Sequence, residues 1–366
     1  MSNYKKLLSV AGLACLPGMA FADTPTLSSI LEASGISISG YTSASYSVNY
    51  NEGNRLNNRA YDSPTDTFTI DQASLTLGYA PESGFGATVN LLAGEDSTVI
   101  NGNYGDNDSI FSLPTAYVSY AGGGFTVIAG RFGSLAGYEV TADNAAPFVS
   151  RSFLFQNTQP FFHTGLRVTY KASDLLTFNL GAVNSAPQAS TRDANKQKTL
   201  EANVTLTPTS TVLVALTNYL GVDDFEFGGT FPVAASTDDT FTTRTNLTDL
   251  VAQWTPTEKL TLAFNGDIAD FKGIATTRGA AFYGFYKFTD LVALRGRVEI
   301  AEFRPKFDAP VDKYKVYTVA LVVSPSSSFD IIAESRFDTA NNDVFLDGDG
   351  LKDSGGNFAV KGIFKF

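Results

Sequence analysis

From Ile36 to Asn51 the chain reads ISISGYTSASYSVNYN, with Ile36, Ile38, Tyr46 and Val48 on one parity and Ser37, Ser39, Ser43, Ser45 and Ser47 on the other. Successive side chains of a strand point to opposite faces, so sustained alternation describes a sheet that meets a different medium on each side. Strands of globular proteins usually run about 5–6 residues, whereas a tilted strand crossing a bilayer needs roughly 9–11. Bounded by turn residues, the pattern recurs in about sixteen segments, the last of them 358–366. Short connections (Pro81-Glu82-Ser83, Gly122-Gly123-Gly124, Ser173-Asp174, Thr289-Asp290) alternate with long ones near 51–65, 95–112, 132–163, 186–198, 220–246, 270–279, 304–313 and 338–357. The expectation is an all-β transmembrane antiparallel barrel of about 16 strands, with periplasmic turns and outer loops. A soluble sandwich or propeller is the competing architecture, but its strands are shorter and its loops less regular.

The N-terminus indicates export. Residues 1–22 carry Lys5 and Lys6, an apolar run from Leu7 to Ala20, and Ala20-Phe21-Ala22 ahead of Asp23, the layout of a signal peptide. Lipid attachment at Cys15 is the weaker alternative, because Gly12 stands where a bulky aliphatic residue is expected. Residues 23–35 then form a short periplasmic segment and 36–366 the barrel. Beyond Ala22 no apolar run is longer than Val319–Val323, far too short for a spanning helix, and a membrane protein without such helices must close its sheet. The formal net charge of −11 argues against nucleic acid as a partner.

Two patterns orient the strands. Tyr79, Phe85, Tyr120, Phe125, Tyr170, Trp254, Phe288 and Phe329 sit beside short turns on the apolar parity, as an interfacial aromatic ring requires. The chain ends in Phe358-Ala-Val-Lys-Gly-Ile-Phe364-Lys-Phe366. Phe364 and Phe366 resemble the terminal signal by which the barrel-assembly machinery recognises its clients, although Ala359 and Gly362 depart from the usual pattern.

Gly130-Arg-Phe-Gly133, Gly137-Tyr138-Glu139, Ser150-Arg151-Ser152-Phe153 and Gln159-Pro160-Phe-Phe-His163-Thr164-Gly165 resemble the run shared by the OmpL-like β-barrel porins (β-barrel porin family 2). The similarity extends from Leu27–Ala33, read as a short helix, to the last strand. It implies an outer-membrane channel and says little about the solute.

Charges on the polar parity should point inward, since Arg or Lys facing lipid at the midplane costs about 2–4 kcal/mol. They include Arg295, Arg297 and Glu299 on one strand, with Arg167, Lys171, Glu201, Asp249, Asp267, Asp330, Glu334, Arg336, Lys361 and Lys365 elsewhere. A barrel of this size is wide enough for an aqueous channel; a plugged barrel whose charges merely pair is the alternative. The connection 132–163, with Glu139, Asp143, Arg151 and His163 among many aromatics, is too long and apolar for an idle loop. It either folds into the barrel as a constriction, as the third outer loop of porins of this size commonly does, or packs over the rim or a neighbouring subunit. Folded inward, Glu139 and Asp143 would face Arg295 and Arg297 across the passage.

His163, Ser152 and Asp143 share that loop, but no nucleophile elbow surrounds them, and no catalytic role is assigned. Asp343, Asp347, Asp349 and Asp353 form an incomplete calcium ladder, because Leu351 breaks it. No metal or cofactor is therefore expected. The reading is a passive diffusion channel whose partners are outer-membrane lipid, the assembly machinery, small hydrophilic solutes or ions, and other copies in a homotrimer. An adhesin using the barrel as an anchor, with loops 220–246 and 338–357 as its working parts, is the rival.

Overall fold

The computed structural model describes residues 26–57, 59–102, 109–186, 195–226 and 240–366; the expected signal segment 1–22 lies outside them. A short helix α1 (Leu27–Ser34) precedes β1 (Ile36–Asn49), β2 (Phe68–Tyr79), β3 (Gly84–Ala93), helix α2 (Asp96–Gly102), β4 (Phe111–Gly122) and β5 (Phe125–Gly133). Helix α3 (Phe153–Asn157) follows, then β6 (Phe162–Lys171), β7 (Leu176–Val183), β8 (Thr199–Thr209), β9 (Val212–Glu226), β10 (Thr240–Thr257) and β11 (Leu260–Phe271). The chain completes the wall with β12 (Ala275–Lys287), β13 (Val292–Pro305), β14 (Asp312–Ser326), β15 (Phe329–Ala340) and β18 (Ser354–Lys365), the hairpin β16 (Phe345–Asp347) and β17 (Gly350–Lys352) standing apart in the last loop.

Sixteen strands form a closed antiparallel barrel in which neighbours in sequence pair, and β18 joins β15 to β1. Closure leaves no open edge, the condition for a sheet in lipid. At the seam Tyr41 stands opposite Lys365 and Val48 opposite Phe358, and Gly40 and Phe366 exchange backbone hydrogen bonds of 2.9 and 3.0 Å.

The outward parity is as the alternation requires: Ile36, Ile38 and Val48 are exposed, as are Tyr79, Phe85, Tyr120, Phe125, Tyr170, Trp254 and Phe288 at the short-turn end. Phe125 stacks on Tyr170 with ring centroids 4.4 Å apart, tying two of these anchors across β5 and β6.

Two expected long loops differ. Residues 270–279 turn tightly between β11 and β12, and β9 and β10 extend to Glu226 and from Thr240, so only the middle of 220–246 remains a connection, outside the described residues. Beyond the apolar band an outward side chain meets water, so Asp270 and Arg278 look like loop residues while the ladder continues, pairing Ile268 with Arg278 and Asp270 with Thr276.

A uniformly polar interior is also not what the fold shows. On β11–β15 many inward residues are apolar and buried: Ala263, Ala281, Tyr283, Ala301, Phe303, Tyr314, Ala320 and Ile332. They need an apolar partner within the barrel, and the segment between β5 and β6 supplies it.

Candidate functional site: the inward loop and its wall

Residues 134–161 leave β5 and run inside the barrel. The entry is pinned where Ser134 N donates to Phe161 O at 3.0 Å, and where Leu135 N donates to the Tyr219 hydroxyl, also at 3.0 Å. Gly137 then adopts φ +97° with the Gln159 side chain against its Cα, a place no side chain could occupy. Phe148, Val149, Phe153 and Leu154 are buried against the small-residue wall of β11–β15. Gly279 makes room for Leu154: a Cβ there would lie 2.7 Å from the leucine Cδ2. Ser152 caps α3 by accepting a hydrogen bond from Phe155 N at 3.0 Å.

The wall charges serve the loop backbone, which has no strand partner of its own. Glu334 accepts hydrogen bonds from Val149 N (2.7 Å) and Ser150 N (3.1 Å), and Glu299 accepts one from Phe153 N (2.7 Å). Arg336 donates to Arg151 O and Arg295 to Pro147 O, both at 2.5 Å. Irregular backbone within a membrane barrel must be satisfied by protein or by enclosed water, and these four side chains do so.

Loop charges meet wall charges directly. Arg297 is 2.9 Å from Glu139 and 2.8 Å from Glu299, with all three side chains fully buried. Lys361 is 2.7 Å from Asp143 and 3.3 Å from Asp71, and Arg151 is 2.9 Å from Asp143. Burial would raise the Asp143 carboxyl, but Lys361 and Arg151 outweigh it and hold it at about 2. Asp96 on α2 goes the other way, pushed well above the usual carboxylate range by burial and by the charge of Asp143. The expected arrangement of acids facing bases across a gap is thereby corrected: Glu139 and Arg297 touch, because unpaired charge at such burial is costlier than contact.

The remaining candidates fall into other groups. Arg167 lies 2.5 Å from Glu201 and stacks over Phe132 at 4.4 Å, supporting the loop entry together with Tyr219, whose hydroxyl donates to Glu201 at 2.8 Å. Asp249 and Asp267 are cross-strand neighbours linked by Asn265, and Gln159 donates to Asp267 at 2.7 Å. Lys365 and Asp330 pair at 2.6 Å, partly exposed, while Lys171 pairs with Asp174 at an exposed short turn.

Two cavities lie on either side of segment 143–149. The one at the loop end, about 570 Å³, is lined by Ser45, Asp71, Asp96, Val149, Phe161 and Ala359 among others. The one at the short-turn end, about 600 Å³, is lined by Asp143, Pro147, Gln253, Arg295, Asp330 and Ile363. Opposite the loop-bearing arc, inward Ser37, Ser39, Thr76, Thr88, Asn90, Ser119, Thr169 and Asn179 on β1–β7 stay at least partly exposed. Among the described residues, none covers these side chains completely.

His163, Ser152 and Asp143 do not assemble into a reactive group. His163 Nδ1 lies 3.0 Å from Ser185 O and its Nε2 lies 4.0 Å from Glu201, while Ser152 and Asp143 keep the partners given above. In the last loop Asp347 pairs with Lys352, and among the described residues no cluster of three or more Asp, Glu, His or Cys is set to hold a metal. Reading for charge missed the small wall residues and three hydroxyls at the ion pairs: those of Tyr219 and Tyr283, which donate to Glu201 and Glu139, and that of Ser150, which accepts from Arg297. Only the apolar wall had a signal, in β14, where Val319–Val323 breaks the alternation by being apolar on both faces.

Solved structures with the same fold cover 90% of the chain. OmpT of Vibrio cholerae in its trimer form aligns over 99% of its length with a TM-score of 0.64 at 12% identity. The anion-selective porin from Comamonas acidovorans aligns over 99% with 0.63 at 13%, and the outer-membrane channel DcaP of Acinetobacter baumannii over 97% with 0.58 at 10%. No curated protein sequence matches the chain significantly. The family model for beta-barrel porin-2, OmpL-like, matches residues 35–366, the whole barrel with its inward loop, and the chain is accordingly a member of that family and an integral outer-membrane protein.

Proposed function

We propose that the protein is a passive diffusion channel for small hydrophilic solutes, with segment 143–149 of the inward loop as its constriction. The observation that carries this reading is the pair of cavities, about 570 and 600 Å³, separated by that segment in a barrel whose opposite wall presents hydroxyl and amide groups to the lumen. Partly exposed Arg295, Asp330 and Lys365 on the short-turn side would bias ions, whereas the buried pairs hold the loop in place. We further propose removal of residues 1–22 on export and a homotrimer, a form in which the V. cholerae OmpT neighbour occurs.

The test is single-channel recording in a planar bilayer with the wild type and with a variant lacking 144–147. Discrete conducting steps that grow in the deletion variant are expected. A folded barrel that does not conduct would favour the anchor of an adhesin, and conductance unchanged by the deletion would remove 143–149 from the constriction.

A further inference from the structure

The outward face of the barrel is electrically lopsided. Strands β1 to β4 contain no lysine or arginine. On β10–β14 the end that carries the outer loops presents Arg244, Arg278, Arg304, Lys313 and Lys315 outward, all exposed. In a chain of net charge −11 this concentration on one arc is not an average of composition. It lies beside the apolar band: Ile300 is the ladder partner of Lys315, and Ile300, Tyr317 and Phe337 are exposed below the belt.

Register places the groups together. Glu302 stands opposite Arg278 on one side and Lys313 on the other. Its carboxylate is 3.1 Å from Arg278 and 2.8 Å from Arg304, so one acid holds two guanidiniums side by side. Among the described residues Lys313 and Lys315 are in no ion pair. A surface depression of about 570 Å³ is lined by Arg278, Ile300, Glu302, Lys313, Lys315 and Asn341. Its floor is apolar and its rim carries cations and an amide.

We propose that this depression binds the phosphorylated headgroup of a glycolipid in the outer leaflet, with acyl chains lying on Ile300, Tyr317 and Phe337. Lys315 stands two ladder positions nearer the hydrocarbon than Lys313, where a bare charge is expensive; its stem can lie on the apolar wall while the amine reaches a phosphate. Arginine forks suit phosphate oxygens bidentately, and the two unpaired amines supply the charge the carboxylate of Glu302 removes. A free phosphate would satisfy the cations but not the apolar floor, so a lipid is the occupant assigned. The site is independent of conduction through the lumen.

The test is native mass spectrometry of the folded barrel titrated with diphosphorylated lipid A, with its dephosphorylated form, and with inorganic pyrophosphate as competitor. The diphosphorylated lipid should bind at least about tenfold more tightly than the dephosphorylated one, and Arg278→Gln/Lys313→Gln/Lys315→Gln should abolish that preference. Lys315→Gln alone, a single exposed substitution, should weaken it several-fold if the triple variant folds poorly. Equal binding of the two lipids, or an unaltered preference in folded variants, would overturn the proposal. Displacement of the lipid by equimolar pyrophosphate would assign a small-anion site in its place.

Discussion

Arg295 and Arg297 share the inward face of β13, two residues apart, yet they do different work. Arg297 is buried between Glu139 and Glu299, and removing it strands two carboxylates without their counter-ion. Arg297→Ala should therefore cost about 3–5 kcal/mol, seen as a lower heat-unfolding midpoint of the barrel on gels. Arg295 is in no ion pair among the described residues, touches the loop through Pro147 O, and borders the inner cavity. Arg295→Gln should leave folding intact and move the zero-current potential in a salt gradient toward cation preference. An unchanged potential in the folded variant would show that Arg295 does not sense permeating ions. Alternation placed both arginines inside; only the arrival of Glu139 from a distant segment distinguishes them.

At the level of elements, the seam between β1 and β18 is the joint on which barrel closure depends. Gly40 lies under the ring of Phe366, and a Cβ there would come 2.6 Å from Ser74 O as well as into the ring. The terminal aromatic, expected from the sequence to be an assembly signal, has in Gly40 a partner that the sequence did not single out. Gly40→Val should displace Phe366 and lower the yield of folded barrel, while Gly284→Ala, where the nearest atom is Leu262 Cδ2 at 3.9 Å, should be neutral. Equal yields in a heat-modifiability assay would separate Phe366 packing from closure. Strand elements were readable because each obeys the same two-sided rule, whereas element ends were not, since that rule lapses where both faces meet water.

For the whole molecule, the unequal connections at the two ends of the barrel set its orientation. With long loops outside, a cysteine replacing Asp349, exposed near the tip of the β16–β17 hairpin, should react with a membrane-impermeant thiol reagent on intact cells. Cysteines replacing Ser210 or Glu258, exposed at short turns, should not react until the cells are opened. Labelling of the short turns from outside would invert the barrel and move the basic belt to the inner leaflet.

What the sequence determined by itself is the barrel: strand periodicity is local, each strand repeats it, and a sheet that spans lipid cannot stay open, so closure is its one solution. Inward charges followed from the same local rule, because lipid excludes them. The tertiary structure alone decided which of those charges are neutralised and where the 134–161 segment lies. Asp143 meets Lys361 and Arg297 meets Glu139 from opposite parts of the chain, and the notch of Gly279, Ala281 and Ala301 that receives Leu154 and Phe153 exists only once β12 and β13 are side by side. Pairing and packing depend on distances between residues far apart in sequence, and a periodic pattern carries no information about those distances.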